Sequence, residues 1–176
     1  MNRGQITIVV LGMHRSATSL VAKGMCLNGV FMGYDLIGPA KSNPWGHFED
    51  REIVHLNDEI LYAAGGRWDN PPPEDAILSK GKQFVQRIKN LIKQRDSAVK
   101  PKYPLWGWKD PRTTLTIKLF LPHLTNPHFV CCFTDPMVVA KSLFDRDGTD
   151  IQVGHGLALE YNARLLAFIS EFYGFA

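Results

Sequence analysis

The sequence is short of the features that mark secreted mini-proteins and membrane segments. It has 3 cysteines in 176 residues, an odd number with two adjacent at Cys131 and Cys132, so it builds no disulfide framework and matches no zinc-ligand spacing. A reducing compartment is the expectation. No stretch approaches the roughly 20 apolar residues of a membrane span. The opening MNRGQITIVVLGMH has a short apolar run that leads directly into a glycine turn, without the long apolar core and small-residue cleavage site of a signal peptide. A cytoplasmic location without membrane contact is therefore expected. An excess of one charge is lacking too: 20 Lys+Arg against 17 Asp+Glu leave a formal +3, and the basic residues are scattered. That pattern does not favour nucleic acid and leaves room for a local anion site. No internal repeat, low-complexity segment or interdomain linker interrupts the chain.

What is present suits one globular domain spanning residues 1–176. Hydrophobic residues make up 45% of the sequence, and a chain of this size buries roughly 70% of the surface it exposes unfolded, enough for a core without a metal or disulfides.

Ile6 to Leu11 is an uninterrupted, mostly β-branched run, the pattern of a parallel strand buried on both faces, and Gly12 ends it. After the turn MHRSATS comes a helical pattern stopped by Gly29, then a short apolar piece from Val30 to Met32. Gly33 to Phe48 is rich in glycine and proline, has no period, and reads as an ordered surface loop. Asp50 suits the N-cap of a helix with Ile53, Leu56, Ile60 and Leu61 on one stripe, closed by Gly65 and Gly66. Ile77 to Ile92 repeats that spacing, with its lysines and arginines expected on a solvated face.

Two units of one design follow. Tyr103 to Trp108 and His128 to Phe133 read as strands, followed by Lys109-Asp110-Pro111 and Thr134-Asp135-Pro136, and then by helices. In each unit Asp suits the N-cap and Pro the first helical position, where its missing N–H costs nothing. A final amphipathic helix from about Gln152 to Tyr173 turns Leu157, Tyr161, Leu165, Phe168, Ile169 and Phe172 inward. Alternating strands and helices predict an α/β fold with a parallel sheet flanked by helices.

In such a sheet every strand delivers its following loop to the same edge, where ligands bind. That edge gathers the Gly12 to Ser19 turn, Lys109 with Asp110, and Thr134 with Asp135. Aligned with the phosphate-loop pattern GxxxxGK[ST], GMHRSATS has Gly12 in the first place, Ala17 at the second Gly, Thr18 at the Lys and Ser19 at the [ST]. Helix N–H groups and the helix dipole still favour a phosphate there, with Arg15, Ser16, Thr18 and Ser19 as further donors and Arg15 supplying the charge the lysine would have carried. The bland alternative is a strand-to-helix turn capped by Ser16 or Thr18. His14 reads as a shaping residue and Trp106 and Trp108 as core.

GMHRSATSL, NPWGHFED, WGWKDPRTTL and FTDPMVVAKSLFDRDG together resemble the PAPS-dependent sulfotransferases, in motif a bacterial-type branch close to the tyrosylprotein sulfotransferases. The likeness runs from Ile6 to about Tyr161. It implies a three-layer P-loop-type fold and transfer of a sulfuryl group from PAPS, without a metal, to a hydroxyl or amine of a small-molecule, carbohydrate or peptide acceptor. Arg15, Ser16, Ala17, Thr18 and Ser19 would hold the 5′-phosphosulfate, and Lys109 would stabilise the leaving oxygen. Glu49, in preference to His47, would take the acceptor's proton. Ser142 would hold the 3′-phosphate of PAPS or its product PAP. The family's arginine partner for that phosphate is Thr134 here, so Lys141 or Arg146 is the expected substitute. Relatives continue past the point corresponding to Ala176, so the chain reads as short at its C-terminus. Two other readings stay open: a P-loop kinase or NTPase with Asp135 as the metal-binding carboxylate, and a catalytically degenerate PAP-binding or interaction module. The last helix, with Phe168, Phe172, Tyr173 and Phe175, either packs within the chain or offers an apolar patch to a second copy.

Overall fold

A computed structural model describes residues 5–41, 43–99 and 105–174. Strands β1 (Ile6–Gly12), β2 (Leu105–Lys109) and β3 (Pro127–Cys132) form a parallel sheet in the order β2-β1-β3. The most apolar run takes the centre, as its lack of polar alternation requires. Its side chains alternate between the faces. Val9 and Leu11 join Trp106 and Trp108 in the larger core, while Val10 packs with Ala22, Val30 and Met32 on the other side. Helix α1 (Thr18–Leu27) covers the smaller core. The larger one is covered by α2 (Arg51–Ala63), α3 (Glu74–Gly81), α4 (Val85–Val99), α5 (Thr113–Phe120), α6 (Pro136–Asp147) and α7 (Ile151–Tyr173). The fold is therefore α/β, with a parallel sheet flanked by helices. Phe31 adds a single parallel bridge to Trp106 beyond β2, which is the use made of the Val30 to Met32 piece.

Two glycines let the strands meet. A Cβ on Gly107 would lie 1.9 Å from the Ile8 carbonyl oxygen, and one on Gly12, where φ is +146°, would lie 2.6 Å from that of Cys132. Both positions exclude any larger residue without displacing backbone.

Several local expectations need correction. Asp135 caps α6 as expected, accepting the N–H groups of Met137 and Val138, with Pro136 in the first turn. Asp110 and Pro111 do not play these parts for α5, which starts at Thr113. Asp110 instead accepts the Arg112 N–H of the preceding turn, and its fully buried carboxylate binds Asn57. The helical run around Ile77 to Ile92 is two helices joined by a 3₁₀ turn at Lys82–Phe84, although Ile77, Ile88, Leu91 and Ile92 all reach the core. Nor is its basic face wholly solvated. Arg95 is 3% exposed and pairs with Asp50 at 3.0 Å and Glu52 at 2.8 Å. Asp50 thus caps α2 and anchors α4 at once. In α7, Phe168 and Phe172 both pack on Phe129 within the chain, at 4.9 Å between ring centroids. Tyr103 and Phe175 lie outside the described residues. Among the described residues no helix is long and apolar enough to cross a membrane.

Candidate active site

Because β1 and β2 are parallel neighbours in register from Ile6–Leu105 to Val10–Lys109, their C-terminal ends open on one side. There a cleft of about 310 Å³ is lined by His14, Arg15, Thr18 and Ser19 of the β1–α1 loop, Lys109 and Arg112 after β2, Asn43, His47 and Glu49 of the long loop, Trp68, Pro111 and Arg146. Arg15, Thr18, Ser19, His47, Glu49 and Lys109 were each expected here.

The loop is built to expose its backbone. Gly12 is tied down on both sides by Thr114, whose Oγ1 accepts the Gly12 N–H at 2.9 Å and lies 3.3 Å from its carbonyl oxygen. Arg15 and Ala17 flank Ser16 at φ +67° and +59°. Left-handed residues in a turn direct successive N–H groups into one concavity, a geometry that binds anions. No side chain caps α1, so neither Ser16 nor Thr18 consumes its first N–H groups. The Ser16 hydroxyl is buried without a partner, a cost of about 1–3 kcal/mol that a bound acceptor oxygen would remove. These features fit a phosphate or sulfate group. Ala17 occupies the position of the phosphate-loop glycine in the conformation glycine prefers. Ala17→Gly is accordingly expected to raise the unfolding free energy by about 0.5–1 kcal/mol, the left-handed penalty less glycine's extra unfolded entropy. Denaturant titration checks it.

Opposite the loop, Lys109 Nζ lies 2.5 Å from Glu49 Oε1, and the two side chains are only 2% and 8% exposed. Burial pushes the Glu49 carboxyl above its ordinary value and Asp110 adds to this, while Lys109 and Arg112 oppose it. Arg112 Nη1 stands 4.0 Å from Glu49 Oε2 and is itself gripped by Asp110 at 2.9 Å and by Asp58, through Nε, at 2.6 Å. Burial depresses the Arg112 guanidinium, but these carboxylates outweigh that and hold it above its usual range. Behind it Asn57 donates to Asp110 at 2.8 Å and to Thr113 Oγ1 at 2.9 Å and accepts from Thr116 at 2.7 Å. Trp108 Nε1 also donates to Thr113, at 3.0 Å. This closed polar network fixes the direction of Arg112.

The two cleft histidines are pressed toward the neutral form. Burial, then Arg112 and Lys109, hold His14 well below the usual imidazole value; burial, then Lys109 and Arg146, lower His47. His14 packs against Trp68 at 4.4 Å between ring centroids, and Arg146 covers Trp68 at 5.1 Å. His14 and Trp68 thus pack on each other at the cleft wall, and His14 Nε2 is buried there without a partner among the described residues.

Arg15 donates from Nε to Ser142 Oγ at 2.7 Å, joining residues 127 positions apart. Thr134 is half-buried after β3 and does not line the cleft; Lys141 is exposed and does not line it either. Of the two cations named as substitutes, Arg146 is the one that reaches the cleft. Reading the sequence singles out neither Arg112 nor Asn43. The signal for Arg112 was its place three residues beyond Lys109 on the ligand edge, masked because it also suits a helix start.

Comparison with family models, with curated proteins and with solved structures finds no match.

Proposed function

We propose that the chain is a PAPS-dependent sulfotransferase built on a three-layer P-loop-type fold. The observation that carries this reading is the buried Lys109–Glu49 contact in the same cleft as an uncapped, left-handed anion loop. Its residue types suit in-line transfer, in which the acceptor oxygen or nitrogen forms a bond to sulfur as the bridging S–O bond to the 5′-phosphate breaks. Such transition states are stabilised by positioning and by cations placed where charge develops. Arg15, Ser16, Ala17, Thr18 and Ser19 would hold the phosphosulfate. Lys109 would meet the negative charge growing on the departing oxygen. Glu49, made more basic by burial, would accept the acceptor's proton, with His47, lowered by burial and then by Lys109, as the other acceptor lining the cleft. Arg112 sets the field around Glu49 from a fixed position. The kinase reading is less well supported, since Asp135 caps α6 through Oδ1 and does not line the cleft.

Calorimetric titration in EDTA tests the proposal. PAPS and PAP are expected to bind, and Arg15→Ala to weaken both by about ten- to a hundredfold, the worth of a charge-assisted contact. Binding of ATP with magnesium but of neither PAPS nor PAP would overturn it.

A further inference from the structure

Two consecutive residues of α4 reach the two segments that carry Lys109 and Glu49. Arg95 donates from Nη2 to Asp50 Oδ2 at 3.0 Å, and Asp96 Oδ1 accepts the Trp106 Nε1–H at 2.9 Å. Asp50 directly follows Glu49, and Trp106 stands three places before Lys109 on β2. Around Glu49 the chain is extended and pairs with residues 35–37, the Arg51 N–H donating to the Asp35 carbonyl and the Ile37 N–H to that of Glu49. Neighbouring side chains of an extended stretch point to opposite sides. Fixing Asp50 toward α4 therefore turns Glu49 away from α4, and there Lys109 meets it. The Asp50 carboxylate is itself confined. Its Oδ2 also accepts the Tyr34 N–H at 3.2 Å and its Oδ1 the Glu52 N–H at 3.0 Å, while a Cβ on Gly33 would lie 2.4 Å from Oδ2. The Tyr34 ring lies over the Arg95 guanidinium, 4.7 Å from ring centroid to Cζ. Arg95 and Asp50 are both buried, and Arg95 Nε has no partner among the described residues. A buried pair with one donor unmet adds little stability. What it does fix is the place of Asp50.

We propose that Arg95 and Asp96 are positioning residues of the Lys109–Glu49 pair, one turn of α4 setting the strand that carries the lysine against the segment that carries the carboxylate. What the pair does rests on the sulfotransferase reading above; how it is held rests on the contacts alone. Neither residue lines the cleft, so both act through Asp50 and Trp106.

The test follows the Glu49 side-chain carboxyl by ¹³C NMR across pH in the full chain, in Arg95→Lys and in Asp96→Ala, with calorimetric titration of PAP alongside. Arg95→Lys keeps the charge and loses the fork that fits Asp50. It is expected to raise the Glu49 midpoint by about one pH unit, as loosening an adjacent opposite charge does, and to keep its PAP affinity, since the β1–α1 loop is untouched. Asp96→Ala replaces a half-buried side chain and carries the same test if Arg95→Lys does not fold. Removing a negative charge would by itself lower the Glu49 midpoint, so the rise expected in Asp96→Ala has to come through geometry. The other charges at Glu49, Asp110 and Arg112, are the same in all three proteins. A Glu49 midpoint that stays in place or falls, whatever happens to the unfolding midpoint, overturns the positioning role and leaves the donor reading standing. So does an Arg95→Lys variant that folds and loses PAP affinity, because the disturbance then reaches the whole site. A wild type that binds no PAP removes the donor reading, and the Glu49 titrations still decide how the pair is held.

Discussion

Lys109→Met is expected to lower the unfolding free energy at neutral pH by about 3–5 kcal/mol, the usual result of leaving one member of a buried ion pair without its partner. Glu49 would keep its charge in a pocket where it is 8% exposed, with only Arg112 4.0 Å away to offset it. The loss has a predictable pH dependence. The Glu49 carboxyl is already raised above its reference of 4.5, and removing Lys109 raises it further. A carboxyl raised in the folded state favours folding fully below its unfolded value, and that contribution is lost as pH rises through the folded one. The variant should therefore approach the wild type near and below pH 4.5 and diverge from it upward. The double variant Lys109→Met, Glu49→Gln should recover most of the loss, because a pair replaced together costs far less than a pair broken. Urea titrations of the four proteins at acidic and neutral pH check it. A pH-independent loss, or a double variant no better than the single, would show that the contact does not bury charge as described.

Asp110→Ala should cost about 3 kcal/mol and act on the site without touching the cleft floor. Its carboxylate is fully buried and takes Asn57 Nδ2 at 2.8 Å and Arg112 Nη1 at 2.9 Å. Without it, the Asn57 amide loses an acceptor in a region closed to water and Arg112 loses one of the two carboxylates that hold it. Buried donors stranded in this way are costly because the low dielectric that strengthens a satisfied network also penalises a broken one. Asn57→Ala alone should be severe for the same reason, and Asp110→Ala with Asn57→Ala should cost less than the sum by at least about 1 kcal/mol, since both changes dismantle the same network. Strict additivity of the cycle would contradict the picture of a single closed network behind Arg112.

The two predictions concern groups whose roles were unequally legible in the sequence. Strands with unbroken apolar runs and helices with local cap signals could be read directly: β1 and β3, Asp50 before α2, Asp135 before α6. These are governed by residues a few positions apart. Lys109 was legible because it ends a strand on the ligand edge. Family resemblance implied a separate role for Lys109 and for Glu49 but no contact between them, because nothing local links residues 60 positions apart. Asp110 looked like a cap because Asp before Pro is a cap signal in most contexts. Here tertiary burial took it for Asn57 and Arg112, and α5 began three residues later. Arg95 looked solvated because its partner Asp50 is 45 positions away. The place of Glu49 in the cleft depends on how the Gly33–Phe48 loop folds back, with Ile37 N–H donating to the Glu49 carbonyl and His47 N–H to that of Ile37. No period or motif encodes that path.

The central claim is that the cleft at the ends of β1 and β2 is a donor-nucleotide site. A crystal structure of the chain with PAP tests it most directly. The account predicts the 5′-phosphate within hydrogen-bond distance of the backbone from Arg15 to Ser19, with Lys109 at the open side of that phosphate. A nucleotide bound away from the β1–α1 loop, or a loop that holds PAP with its phosphates turned from Arg15 and Lys109, would contradict it.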